Sequence, residues 1–160
     1  MEKAGFHACD NGRCYAQSAA DWWAREQAKP TVLVVAAALV DPDGRVLVAQ
    51  RPVGKTMAGL WEFPGGKVHA DETPEIALIR ELREELGIEV GESCLAPLTF
   101  ASYAYESFHL LMPLYVVRTW KGKGTPHEGQ ALTWVKPNRL HNLPMPPADI
   151  PLCAMLMDML

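Results

Sequence analysis

The sequence has no apolar run longer than the nine residues 32–40. A membrane-crossing helix needs roughly 20, so no helical span is expected. Positive charge is also scarce: 15 Lys and Arg against 19 Asp and Glu leave a net charge of −4 at pH 7. A protein that binds a nucleic acid polymer normally presents a basic face, and that class is set aside. A small polyanion stays open as a ligand, because a bound divalent cation can supply the missing positive charge. Cysteine is sparse, with Cys9, Cys14, Cys94 and Cys153 as the whole set, and reduced thiols are expected. His7, Cys9 and Cys14 lie near one another, but structural zinc sites show tighter Cys pairs and a clear fourth ligand. Residues 1–20 hold no apolar core followed by a cleavage site, so no export and a cytoplasmic location are expected.

What the sequence does have is an ordinary globular composition, 49% apolar and 21% charged over 160 residues. That length suits one domain, which typically holds about 100–150 residues. Residues 1–29 read as an extension of unassigned role, in which Asp21 is placed to cap a short helix carrying Trp22, Trp23 and Arg25. From residue 30 the pattern becomes regular. Residues 31–40 are β-branched and apolar, a buried strand. A turn at Asp41-Pro42-Asp43-Gly44 leads to a second strand at 45–50, and the pair reads as a hairpin. Residues 57–66 form a loop ending in two glycines. Residues 73–87 are helical, with Thr73 as cap, Pro74 at the first position and Gly87 at the end. Strands follow at 98–105, 109–120 and 131–135, with a polar, Gly-rich loop at 121–129. A Pro-rich loop at 143–147 precedes a closing helix at 150–160, whose Leu152, Met155, Leu156 and Met159 share a helical stripe. Strands mixed with helices imply an α/β domain.

The chemistry concentrates between Gly65 and Ile88. On a wheel of 100° per residue, Ile76, Ile79, Leu82 and Leu86 fall on one side and Glu81, Glu84 and Glu85 together on the other. Like charges at spacings of three and four repel and destabilise a helix. A solvated face would mix in lysines, and this helix has only Arg80 and Arg83. Several oxygens converging from a rigid element are what a hard divalent cation requires. The preceding Phe63-Pro64-Gly65-Gly66 allows close backbone approach, and Lys67 and Arg51 are suited to phosphate oxygens.

Residues 66–88 match the Nudix box in full: Gly66, five residues, Glu72, seven residues, Arg80-Glu81, Leu82, Arg83, Glu84-Glu85, Leu86, Gly87 and Ile88. The chain from 31 to 160 therefore resembles the Nudix hydrolases, and within them the MutT-type nucleoside triphosphate pyrophosphohydrolases. Gln50-Arg51, Leu60-Trp61-Glu62-Phe63-Pro64, Glu128-Gly129-Gln130 and Met145-Pro146-Pro147-Ala148-Asp149 extend the likeness. The resemblance implies an α/β/α sandwich with a mixed β-sheet between helices, over residues 30–160. It implies Mg²⁺, with Mn²⁺ as the alternative ion, on Glu81, Glu84, Glu85, Glu128 and the Gly65 carbonyl. It also implies that Arg80 orients the glutamates, that Glu72 supports them, and that Glu128 adds a ligand or accepts a proton from the attacking water. Attack at the β-phosphorus gives a nucleoside monophosphate and pyrophosphate, from a monomer or a homodimer.

The substrate expected from the resemblance is 8-oxo-dGTP. Asp149 departs from it, since asparagine is frequent at that place in MutT-type chains, while an Ala-Asp-Ile-Pro run like 148–151 occurs in a branch that cleaves cytidine nucleotides. An ionised aspartate only accepts hydrogen bonds, and a protonated one also donates. Asp149 is equally placed to cap the last helix. Phe63 and Tyr105 are candidates to stack on the base. A diadenosine polyphosphate hydrolase, with Tyr103 or Tyr105 as its marker, and a non-catalytic nucleotide sensor are the remaining alternatives.

Overall fold

The computed structural model describes residues 29–160 throughout, together with Ala20, Asp21, Ala24 and the backbone of strands β1 (Phe6–Asp10) and β2 (Arg13–Gln17). Strands β1 and β2 form an antiparallel ribbon in which Cys9 stands opposite Cys14. Of the short helix expected from Asp21 onward, Asp21 and Ala24 lie within the described residues, and Trp22, Trp23 and Arg25 lie outside them.

The next strands are β3 (Thr31–Leu39), β4 (Val46–Gln50), β5 (Trp61–Glu62) and β6 (Gly65–Lys67). Helix α1 (Pro74–Leu86) follows, then β7 (Leu95–Ala104), β8 (His109–Val117), β9 (Ala131–Val135) and helix α2 (Ile150–Met159). One sheet has the order β6-β3-β8-β7, and a second has the order β5-β4-β9. The first is mixed, because β3 and β8 run parallel while its other pairs are antiparallel.

Strand β3 explains the layering. Its residues alternate between two faces, and both faces are apolar. Ala36 and Ala38 pack into a core with Leu152, Cys153 and Leu156 of α2. Val35, Ala37 and Leu39 pack into another with Leu78, Leu82 and Leu86 of α1. A strand covered on both sides reads as a continuous apolar run, so helices lie on both faces of the sheet, as the α/β/α expectation requires.

Three expectations need correction. Strands β3 and β4 do not pair as a hairpin: beyond the turn only Val40 and Val46 bridge, and the chain then crosses into the second sheet. On α1 the buried stripe is Ala77, Leu78, Leu82 and Leu86, while Ile76 is half exposed. The helix has more apolar residues than one face holds, and the row at intervals of four (78, 82, 86) takes the sheet. That rotation sets Glu81 and Glu85 beside the buried stripe rather than opposite it. On α2, Cys153 joins Leu152 and Leu156 inside, whereas Met155 and Met159 are exposed.

Candidate active site

Helix α1 begins where Thr73 Oγ1 accepts from the Ile76 N–H at 3.3 Å, and it ends at Gly87, with φ 65°. The fixed helix carries Glu81 and Glu85 to strand β6. Gly65 and Gly66 make room for this contact. A Cβ on Gly65 would lie 2.0 Å from the Val35 carbonyl oxygen, and one on Gly66 would lie 2.3 Å from the Glu81 carboxyl carbon. The Gly65 N–H donates to Glu85 Oε2 at 3.3 Å. The loop before β6 is pegged to the sheet by the Ala37 N–H, which donates to the Pro64 carbonyl at 2.8 Å.

Arg80 organises the acidic side. It donates to Glu72 through Nε (2.6 Å) and Nη2 (2.8 Å), to Glu81 through Nη1 (2.7 Å) and to the Lys67 carbonyl at 3.1 Å. The guanidinium holds Glu72 down at about 2. Arg80 and Glu72 thus form one fork-shaped clamp.

These residues border a cleft of about 410 Å³, whose lining includes Arg51, Phe63, Gly65, Lys67, Glu81, Glu85, Glu128 and Asp149. Glu84 is not among them: its side chain is 55% exposed and reaches Arg80 at 3.4 Å. Tyr105 is absent from the lining too. Its ring stacks on Phe108 at 4.8 Å and leans on Tyr103 at 4.7 Å, with its hydroxyl beside the Ala148 backbone. Phe63 reaches the cleft while remaining part of the α2-side core.

The electrostatics are those of a site built around missing positive charge. Burial, followed by the charges of Glu81 and Glu128, pushes Glu85 up to about 8. Among the described residues, no three His, Cys, Asp or Glu side chains are already gathered around one point. Arg80 holds Glu81 aside, and Lys55 pairs with Glu128 at 2.7 Å. The candidate donors are nonetheless all oxygen, three carboxylates and the Gly65 carbonyl, which fits a hard divalent cation.

Elsewhere in the cleft lining, Asp149 is 5% exposed and accepts from the Phe63 N–H at 3.4 Å. Burial raises its carboxyl to about 7. Its side chain makes no capping hydrogen bond to α2. Only its backbone carbonyl serves the helix start, accepting from Leu152 and Cys153.

Three polar cleft residues were given no role from the sequence. Glu62 accepts from Arg51 Nη1 at 2.6 Å. Gln130 accepts from the Glu128 N–H at 2.8 Å and donates to the Glu85 carbonyl at 3.0 Å, tying the late loop to the end of α1. Lys55 reaches Glu128 across 73 residues of sequence. Glu62 and Gln130 stand inside strings that carried the resemblance, whereas a single lysine in a surface loop gives no periodic or motif signal.

The NUDIX domain family pattern matches residues 35–155, which contain every one of these cleft residues apart from Val34 at its edge. The chain belongs to the Nudix family. It is 46% identical over 125 residues to the CTP pyrophosphohydrolase of Escherichia coli K12, spanning 76% of this chain and 88% of that one. It is 39% identical over 101 residues to the 8-oxo-dGTP diphosphatase of Proteus vulgaris, spanning 63% and 88%. The solution structure of the E. coli ORF135 protein superposes with a TM-score of 0.73 at 39% identity, covering 83% of this chain and 93% of that one. This Nudix chain is therefore a nucleotide hydrolase with the α/β fold of its structural neighbours, and Nudix hydrolases generally need divalent metal ions.

Proposed function

We propose that this Nudix hydrolase cleaves nucleoside triphosphates to the monophosphate and pyrophosphate with Mg²⁺, or Mn²⁺ as the alternative ion, and that its main substrate is 8-oxo-dGTP. The reading assigns residues 30–160 to the catalytic domain, acting as a monomer or homodimer in the cytoplasm. Glu81, Glu85, Glu128 and the Gly65 carbonyl would hold the cation, with Glu84 at the rim. A bound divalent cation neutralises phosphate charge and lowers the pKa of a bound water. Arg51 and Lys67 grip phosphate oxygens, Arg80 keeps Glu81 in position, and Glu128 accepts the proton from the water that attacks the β-phosphorus.

The observation that carries the base preference is the buried Asp149 carboxyl in the cleft lining, where it accepts from the Phe63 N–H. As a carboxylate it offers two acceptors. The guanine edge presents two adjacent donors, N1–H and the amino group, and oxidation at C8 leaves both in place. Cytosine presents one donor there, its amino group. A cytidine triphosphate is the second reading, favoured by the 46% identity to a CTP pyrophosphohydrolase. A sensor without turnover would have no use for Glu81, Glu85 and Glu128 together in one cleft lining.

The deciding experiment measures kcat/KM for 8-oxo-dGTP, dGTP, dCTP, CTP and dATP with Mg²⁺, with products resolved by phosphorus NMR. The proposal expects 8-oxo-dGTP to lead and pyrophosphate to be released. A lead for CTP or dCTP transfers the assignment to the second reading, and an absence of turnover on all five contradicts both.

A further inference from the structure

The Lys55–Glu128 pair joins two loops that are each fixed independently. Loop 51–60 is closed by the Gly59 N–H donating to the Arg51 carbonyl (2.9 Å), the Arg51 N–H to Leu60 (2.9 Å) and Arg51 Nε to the Thr56 carbonyl (2.6 Å). The late loop is docked on the end of α1 by the Thr125 N–H to Leu86 (2.9 Å), the His127 N–H to Glu85 (3.0 Å) and the Gln130 side chain. Among the described residues, the side chains of Lys55 and Glu128 close the gap between these loops at 2.7 Å, and both residues line the cleft. The pair is about half exposed, at 52% and 42%. Such pairs contribute little to folding, so its place at the mouth calls for another use. Arg51, the other cation of this loop, is already held by Glu62 and the Thr56 carbonyl.

We propose that Lys55 is an exchange latch: without substrate its ammonium covers Glu128, and when a metal-bound triphosphate enters it passes to a phosphate oxygen, releasing Glu128 to the reaction. This rests on the triphosphate reading above. Both halves of the exchange are driven in the same direction. A divalent cation near Glu81, Glu85 and Glu128 repels the ammonium, while the incoming phosphates attract it. A lysine suits the task because it is a point charge with three donors on a flexible stem and does not require fork geometry. No bond is made or broken in the exchange, and no proton moves.

The latch predicts effects of opposite sign from one substitution. In Lys55→Ala, Mn²⁺ alone, titrated by calorimetry without nucleotide, binds about two- to fivefold more tightly, the range of an exposed ion pair removed as competitor. In the same variant KM for the triphosphate rises about tenfold with kcat little changed, as for a lost charge-assisted contact to phosphate. Lys55→Arg restores most of both. In a Glu128→Gln background Lys55→Ala no longer changes Mn²⁺ affinity, because the competition runs through that pair. Weaker or unchanged Mn²⁺ binding in Lys55→Ala overturns the latch, as does an affinity gain that persists in Glu128→Gln or an unchanged KM. If the wild type turns over no triphosphate, the functional reading fails; the Mn²⁺ titrations report on the latch independently of that result.

Discussion

The glutamate end of the cleft and the Asp149 end hold their carboxyl groups under different constraints. Glu81, Glu85 and Glu128 crowd like charges together, and Arg80 and Lys55 keep them apart by pairing with two of the three. Asp149 is buried, with the Phe63 N–H as its hydrogen-bond donor and the opposed charges of Glu62 and Arg51 acting on it. At the first end the raised value of Glu85, about 8, is due to burial and then to its neighbours, and a cation relieves both. At the second, the raised value of Asp149, about 7, is due first to burial. A base edge with donors relieves that by hydrogen bonding and adds no charge. On the proposed function this difference is a division of labour: one end is completed by metal and phosphate, the other by a base.

The largest expected effect strikes the glutamate end. Glu85→Gln keeps the shape and the contact with the Gly65 N–H but loses the charge a cation needs. Turnover should fall about 10²–10³-fold, the usual consequence of losing one preorganised electrostatic contact. Because burial and neighbouring charges already disfavour ionised Glu85, the variant should melt no lower than wild type in metal-free buffer. Turnover near wild type at saturating Mg²⁺ would break the metal assignment.

A smaller effect, of another kind, is expected at Asp149. Asp149→Asn replaces an acceptor pair by one acceptor oxygen and an amide group with two N–H donors. A hydrogen bond to a charged group is worth roughly 1.5–3 kcal/mol, so the ratio of kcat/KM between guanine and cytosine nucleotides should shift by about 10–100-fold. Equal losses on every base would mean that the base is read elsewhere.

How much of each end was legible follows from the same contrast. The glutamate end comes mainly from one stretch, residues 65–85, so helical spacing and the Nudix box reveal it. Even there, the sequence alone put Glu84 in the cluster and the glutamates opposite the buried face. Choosing which of six apolar residues on α1 meets the sheet needs the packing of β3, which local periodicity does not contain. The Asp149 end brings together Phe63 before β6 and Asp149 before α2, with Met112 of β8 in the same lining. Those residues meet only through tertiary pairing, such as the Trp61 N–H donating to the Pro144 carbonyl at 2.8 Å. Tyr105 was a reasonable stacking candidate by chemistry, and its stack with Phe108 takes it out of the lining. The β3–β4 hairpin failed for a similar reason: a tight turn signals that two strands are neighbours, but not that they stay in one sheet.

The smallest effect is one of stability. Folded Asp149 keeps its proton up to about pH 7, whereas in the unfolded chain it ionises near 3.8. Between those values the native state binds more protons, so the contribution of this group to stability is greatest below about pH 4 and is lost as pH rises through 7. Asp149→Asn has no such proton. It should melt higher than wild type at pH 8, by several degrees at most for a few kcal/mol, with the gap narrowing towards pH 5. A gap that widens as pH falls would contradict the burial of this carboxyl.

The division of labour is tested most directly by kcat/KM for 8-oxo-dGTP and dCTP, measured with Mg²⁺ in wild type, Glu85→Gln and Asp149→Asn. The account predicts that Glu85→Gln depresses both substrates by the same large factor and leaves their ratio unchanged, while Asp149→Asn moves the ratio at least tenfold. A ratio that shifts in Glu85→Gln and stays constant in Asp149→Asn would contradict it.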